Sequence, residues 1–195
     1  MADSHQSSKS GWHFLCRPSA RYSIMALIGV GFILGILLWE GFNWGLEKTN
    51  TLEFCVSCHE MRDNVYQEYK QSAHYSNLSG VRASCSDCHV PKDFAHKIIR
   101  KLQASKEVWG NLTGVIDTKE KFEAKRLEMA KSEWGRMKDS DSQECRNCHQ
   151  YDAMKLDIQD KSAKKKHEQA AKPDSGKTCI DCHKGIVHEL PDTIE

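Results

Sequence analysis

The 195-residue sequence is short of two things that often announce a function. It has no surplus of charge: 28 Lys and Arg stand against 27 Asp and Glu, a formal net charge of +1 with histidine neutral. That balance names no partner. No basic patch with interleaved aromatics runs along the chain, so no nucleic-acid partner is expected. The second shortage is apolar. Hydrophobic residues make up 39%, and a large block of them sits in one N-terminal run. The rest is too polar for an ordinary side-chain core, although its length allows one or two small domains. Something other than side chains must fill the interior.

Cysteine is what the chain has in pattern. "CVSCH" at Cys55, "CSDCH" at Cys85, "CRNCH" at Cys145 and "CIDCH" at Cys179 take up eight of the nine cysteines and leave only Cys16 over. A pair two residues apart with histidine directly after it is the attachment signature of c-type haem. Both sulfurs become thioethers, and the histidine comes under the iron as an axial ligand. Structural zinc, the rival for C-x-x-C units, takes four thiolates and needs no histidine after each second cysteine. A disulfide framework rarely repeats a two-residue gap four times. The reading is four covalently bound haem c, held by Cys55, Cys58, Cys85, Cys88, Cys145, Cys148, Cys179 and Cys182, with His59, His89, His149 and His183 on the irons. Four porphyrins supply the missing apolar interior.

Residues 22–39, "YSIMALIGVGFILGILLW", carry no charge. Extended toward Trp44, the run is long enough for a helix crossing a ~30 Å hydrocarbon layer at ~1.5 Å per residue. Lys9, Arg17 and Arg21 precede it, while Glu40, Glu47, Lys48 and Glu53 follow. The positive-inside rule puts the N-terminus in the cytoplasm and everything after the helix outside. A cleaved signal peptide fits less well, because the run is long and "WEGFNWGLE" offers no small-residue cleavage site. The expected layout is a cytoplasmic tail over 1–21, an anchor over 22–44 in the bacterial inner membrane, and a periplasmic haem domain over 45–195.

Histidine spacing divides that domain. CxxCH, fourteen residues, His74, ten residues, CxxCH, six residues, His96 is followed by CxxCH, seventeen residues, His167, eleven residues, CxxCH, four residues, His188. The halves, about 50–116 and 117–195, read as duplicated dihaem units. Apart from His5 and His13 before the anchor, one spare histidine remains per haem: His74, His96, His167 and His188. The simplest assignment makes them distal ligands. His96 fits least well, lying in a lysine-rich helical stretch. The fold class is mainly α and irregular, a multihaem cytochrome c behind one transmembrane helix.

Between the halves, Phe94, Ile98, Leu102 and Trp109 fall near one helical face. A second helix is expected after a cap at Thr118, with Phe122, Met129, Ala130, Trp134 and Met137 as its stripe. The run "KSAKKKH" over residues 161–167 reads as a solvated face, with docking the alternative.

One anchor, "CVSCHEMRDNVYQEYKQSAHY", "CSDCHVP", "ASKEVWG" and "CIDCHKGIVHELP" together resemble the NapC/NirT family of membrane-anchored tetrahaem cytochromes. The likeness spans about residues 17–191, and "KFEAKRLEMAKSEWGRMK" is most similar to the NapC-type branch. It implies a quinol dehydrogenase that oxidises menaquinol or ubiquinol in the lipid bilayer and passes electrons to a periplasmic reductase, nitrate reductase for NapC-type members. A relay to nitrite or trimethylamine N-oxide reductase without direct quinol oxidation is the alternative. In the nitrite-reductase-linked branch a CxxCHxM motif lets methionine ligate the first haem in place of the motif histidine, and "CVSCHEM" matches it at Met61. NapC-type members are described as bis-histidine throughout, so the first haem's ligands stay open between Met61 and histidine. The family also places a lysine and an acidic residue beside the quinol, roles that fall on Lys101 and Glu107.

Overall fold

The computed structural model describes residues 21–192. All of the expected tail but Arg21, with His5, Lys9, His13, Cys16 and Arg17, lies outside them. Among the described residues the chain is helix, turn and loop without a strand. It divides into two compact units at Glu47 and Lys48.

The first unit carries α1, Ile24–Lys48, 25 residues long. At ~1.5 Å per residue it measures roughly 37 Å, enough to cross a membrane. Its most apolar window has a mean hydropathy of 2.1 and none of it is buried. Apolar surface therefore faces outward all round, which suits lipid and not water. The helix runs past Trp44 and ends with Lys48 in its last turn, where a cation meets the negative end of the helix dipole.

The second unit is built from short helices around two long ones. The short ones are α2 (Leu52–Cys55), α3 (Tyr66–Tyr69), α4 (Cys85–His89), α7 (Gln143–Arg146), α8 (Lys161–Ala170) and α9 (Cys179–Cys182). A π-helical turn, Met61–Val65, precedes α3. The long ones are α5, Phe94–Leu112, and α6, Lys119–Asp139. Their starts follow the capping chemistry of the sequence: the Asp93 side chain accepts from the His96 N–H, and Thr118 from the Lys121 N–H.

The core is thin. Among the described residues only Tyr69, Phe122 and Ile180 are buried hydrophobics. The expected α6 stripe holds, with Phe122 buried and Met129, Ala130, Trp134 and Met137 half-buried. Along α5, Leu102 and Trp109 remain 68% and 67% exposed. Ionic clusters on α6 do much of the fastening instead. Arg126 reaches Glu123 on its own helix and Glu68 across the unit, at 2.6 Å each. Arg136, ten residues on, holds Glu133 at 2.6 Å and Glu144 at 2.9 Å, and donates to the Cys88 carbonyl at 3.0 Å.

The Glu144 side chain is 2% exposed and is held by Arg136 Nη1 at 2.9 Å. Replacing one partner of such a pair strands the other without solvent, at a cost of about 3–5 kcal/mol. Arg136→Ala is expected to lower the unfolding free energy of the haem-loaded protein, read from urea denaturation, by a margin of that order, and Lys125→Ala, whose ion pair is exposed, to leave it nearly unchanged.

Candidate haem centres

The second and fourth motifs begin alike. Ser84 and Thr178 cap α4 and α9 with reciprocal boxes, and the Asp87 and Asp181 carboxylates accept from the Ser84 and Thr178 N–H at 2.9 Å each. The first and third motifs open on a Thr51 cap and on the turn Asp141–Ser142. Both residues of that turn hold positive φ, 51° and 52°. Ser142 is fully buried, and its Oγ accepts from the Ile180 N–H at 3.2 Å. A backbone conformation disfavoured outside glycine thus fastens the third motif to the fourth.

The sulfurs are arranged in the same rhythm. The Cys85 thiol donates to the Cys55 sulfur, lowering the Cys55 pKa to about 7 and raising that of Cys85. Cys145 stands in the same relation to Cys179, which falls to about 6. With haem attached these atoms are thioethers, so the finding that carries over is adjacency. The first motif meets the second and the third meets the fourth. In the middle, α4 packs on α7, which joins the second motif to the third.

Six histidines stand in three facing pairs. The ring centroids of His89 and His188 are 6.1 Å apart, those of His74 and His149 6.1 Å, and those of His167 and His183 5.9 Å. A metal bonded at ~2 Å to one nitrogen of each of two rings separates their centres by about 6 Å. Each pair joins one motif histidine to one spare histidine, so the donor set fits haem iron held from both faces. Burial lowers the His74 pKa first, and the His149 charge adds to it, so the ring stays the neutral donor a metal requires. Gly185, at φ +72, turns the chain between His183 and His188, and a Cβ there would lie 2.8 Å from Leu190 Cγ. Among the described residues no three Cys, His or carboxylate groups converge as a zinc site demands.

The first motif is different. Among the described residues His59 faces no second histidine ring, and its Nε2 lies 3.3 Å from Glu60 Oε1. His96 is 73% exposed and turned to Asp93 at 2.7 Å, and is brought opposite no motif histidine. Met61 is half-buried at the start of the π turn, a distortion that concentrates at functional sites. Glu60, between His59 and Met61, is 3% exposed; its Oε1 accepts from Asn111 Nδ2 at 2.5 Å and its buried Oε2 has no partner.

Lys101 and Glu107 lie on α5 with separate partners. Lys101 Nζ donates to Thr49 Oγ1 at 2.6 Å, and its charge reaches Cys55 of the first motif. Glu107 pairs with Arg100 at 3.0 Å. Sequence reasoning passed over the groups behind the ligand rings. His89 Nδ1 donates to Glu133 Oε1 at 2.8 Å, His188 Nδ1 lies 3.5 Å from Glu68 Oε2, and His167 Nδ1 donates to Gln159 Oε1 at 2.6 Å. A signal was present: Glu123-x-x-Arg126 and Glu133-x-x-Arg136 repeat one motif on one helix.

Four CxxCH motifs packed in series, facing imidazoles and an apolar helix in front define a c-type cytochrome of electron transfer with one candidate membrane anchor. The chain belongs to the NapC/NirT cytochrome c family: the family model for its N-terminal region matches residues 17–193. It is 59% identical to the cytochrome c-type protein NapC of Escherichia coli K12 over 184 residues, 94% of this chain and 90% of NapC. It is 56% identical to the denitrification system component NirT of Stutzerimonas stutzeri over 191 residues, 97% of this chain and 94% of NirT. The cytochrome c-type protein TorC of E. coli K12 is 51% identical over 182 residues, 93% of this chain and 46% of TorC. No solved structure matches.

The facing pairs make a prediction that spacing alone could not. His188→Ala is expected to remove a ligand from the haem on Cys85 and Cys88, His74→Ala from the haem on Cys145 and Cys148, and His167→Ala from the haem on Cys179 and Cys182. Each variant should keep its haem content while one low-spin centre turns high-spin, seen by electron paramagnetic resonance. An unchanged spectrum would take that histidine off the list.

Proposed function

We propose that this chain is a quinol dehydrogenase, anchored in the inner membrane by α1 with its N-terminus in the cytoplasm. It takes electrons from menaquinol or ubiquinol and passes them through four covalent haems to a periplasmic reductase, nitrate reductase first among the candidates. The observation that carries the reading is the serial packing of the four motifs, with α2 on α4, α4 on α7, and Cys145 beside Cys179. Haem, when bound, supplies one-electron carriers close enough together for transfer between them. The chain's own residues do the rest.

The ring pairs would hold haem iron with two imidazoles at each of three motifs, which would leave a reducible substrate no metal position and favours conduction over terminal catalysis. The first motif follows the anchor closely in sequence and is the one without a second ring, so it is the entry. Quinol gives up protons with its electrons, and ring nitrogens already committed to metal cannot take them. Glu107, steadied by Arg100, is the base; Lys101, tethered to Thr49 and within electrostatic reach of Cys55, holds the developing oxyanion. Two dihaem halves, about 50–116 and 117–195, are supported by the repeated capping boxes and the repeated sulfur contacts. The likeness to a denitrification component keeps nitrite reductase as the second partner.

Mass spectrometry of the purified full chain should show four haem additions. Glu107→Gln and Lys101→Ala should each slow oxidation of a quinol analogue by about 10²-fold or more, the scale of a lost acid–base group, while dithionite still reduces every haem. Normal quinol turnover in both variants would move the site elsewhere. Haems that no quinol analogue reduces, even in the parent protein, would favour a relay fed by another membrane protein.

A further inference from the structure

The environments of the three ring pairs differ in one respect. Behind His89 stands Glu133, at 2.8 Å from Nδ1, and behind His188 stands Glu68, at 3.5 Å. Among the described residues, no carboxylate contacts His74, His149, His167 or His183. His167 meets the neutral amide of Gln159 at 2.6 Å, and the buried Nδ1 atoms of His74 and His188 both lack a hydrogen-bond partner, so that Glu68 acts on His188 by its charge alone. The second motif is therefore the one whose two facing imidazoles are both backed by negative charge.

Those charges are not cancelled by the arginines that hold them. Arg136 faces two carboxylates, Glu133 and Glu144, and Arg126 likewise faces Glu68 and Glu123. Each cluster keeps an excess negative charge in a half-buried setting, with the Glu68 side chain 11% and the Glu133 side chain 22% exposed. Arg136 Nη2 donates to Glu133 Oε1 at 2.6 Å and its Nη1 to Glu144 Oε1 at 2.9 Å, so the carboxylate behind His89 is held by a guanidinium that it shares with a second carboxylate. Arg126 Nη2 likewise donates to Glu68 Oε1 at 2.6 Å, and the Glu189 N–H donates to Glu68 Oε2 at 3.1 Å.

A carboxylate that accepts from the outer nitrogen of a metal-bound imidazole raises the basicity of that ligand and fixes its ring. It also favours the more positive, oxidised state of the metal the ring ligates. We propose that Glu133 and Glu68 are positioning residues that make the haem on Cys85 and Cys88 the lowest in potential of the three bis-histidine haems. Glu133 carries the larger share because its hydrogen bond is formed while the Glu68 contact is longer. The inference rests on the ligand reading of His89 and His188. Its consequence is a conduction path with its most reducing station just after the entry, so that electrons move onward only when supply from the first haem is strong.

The test is a potentiometric titration of the detergent-solubilised full chain, with each low-spin haem followed by electron paramagnetic resonance. Glu133→Gln keeps shape and removes charge. It should shift the lowest-potential low-spin step toward reduction by about tenfold in its equilibrium, ~59 mV for one electron, and leave the other steps in place. Glu68→Gln should shift the same step by less. Gln159→Glu adds the missing charge behind His167 and should lower a different step, an effect a purely structural role would not produce. A full haem complement with unchanged potentials in Glu133→Gln, or no lowering in Gln159→Glu, overturns the proposal. If Glu133→Gln fails to load four haems, Glu68→Gln and Gln159→Glu decide it by the same criterion. Failure of the ligand reading shows separately, as an unaltered low-spin spectrum in His188→Ala.

Discussion

Two arginines on α6 hold together a unit that has almost no side-chain core. With only Tyr69, Phe122 and Ile180 as buried hydrophobics among the described residues, apolar packing cannot fix the loops. Arg126 and Arg136 sit ten residues apart on one rigid helix, and each gathers carboxylates from elsewhere in the chain. Arg126 collects Glu68 near the first motif and, through the Glu189 carbonyl at 3.3 Å, the turn after the fourth. Arg136 collects the Cys88 carbonyl of the second motif and Glu144 of the third. Replacing such clusters by apolar residues often stabilises a protein, so stability alone does not account for them. What they give here is placement, since each ends on a carboxylate that faces a histidine ring.

Much of this was legible in the sequence. The apolar run, the four motifs, the cap at Thr118 and the α6 stripe are local chemistry, decided within a few residues of chain. The partners of the spare histidines were not. Spacing repeats from half to half, yet the rings pair differently: His167 faces His183 of its own half, whereas His74 faces His149 and His188 faces His89 across the halves. The cause is the packing of α4 on α7, which sets the second and third motifs side by side. A long-range contact between a five-residue and a four-residue helix leaves no trace in periodicity.

The carboxylates behind the rings were hidden for a related reason. Glu133 and Glu68 lie 44 and 120 residues from the histidines they face. In sequence they look like members of ordinary charged stretches, Glu133 in an i,i+3 pair that on an exposed helix is worth a few tenths of a kcal/mol. Burial changes their meaning, because a half-buried carboxylate held ionised by arginine acts on its neighbours with little screening.

The first motif departs from the other three in every feature that matters for conduction. His59 has no facing ring, the backbone widens into a π turn at Met61, and a buried carboxylate, Glu60, separates the two. A conducting site gains from two tight axial ligands, because a ligand set that does not change between oxidation states keeps reorganisation small. A site that must meet a diffusing donor gains instead from an open face and from groups that handle protons. The second, third and fourth motifs carry the features of the former. The first, with Lys101 reaching toward Cys55 and Asn111 of α5 bonded to Glu60, is tied to the helix that bears the candidate proton-handling residues. On the proposed reading, the asymmetry between one motif coupled to α5 and three with facing imidazoles gives electron flow its direction in a chain whose motifs look nearly alike.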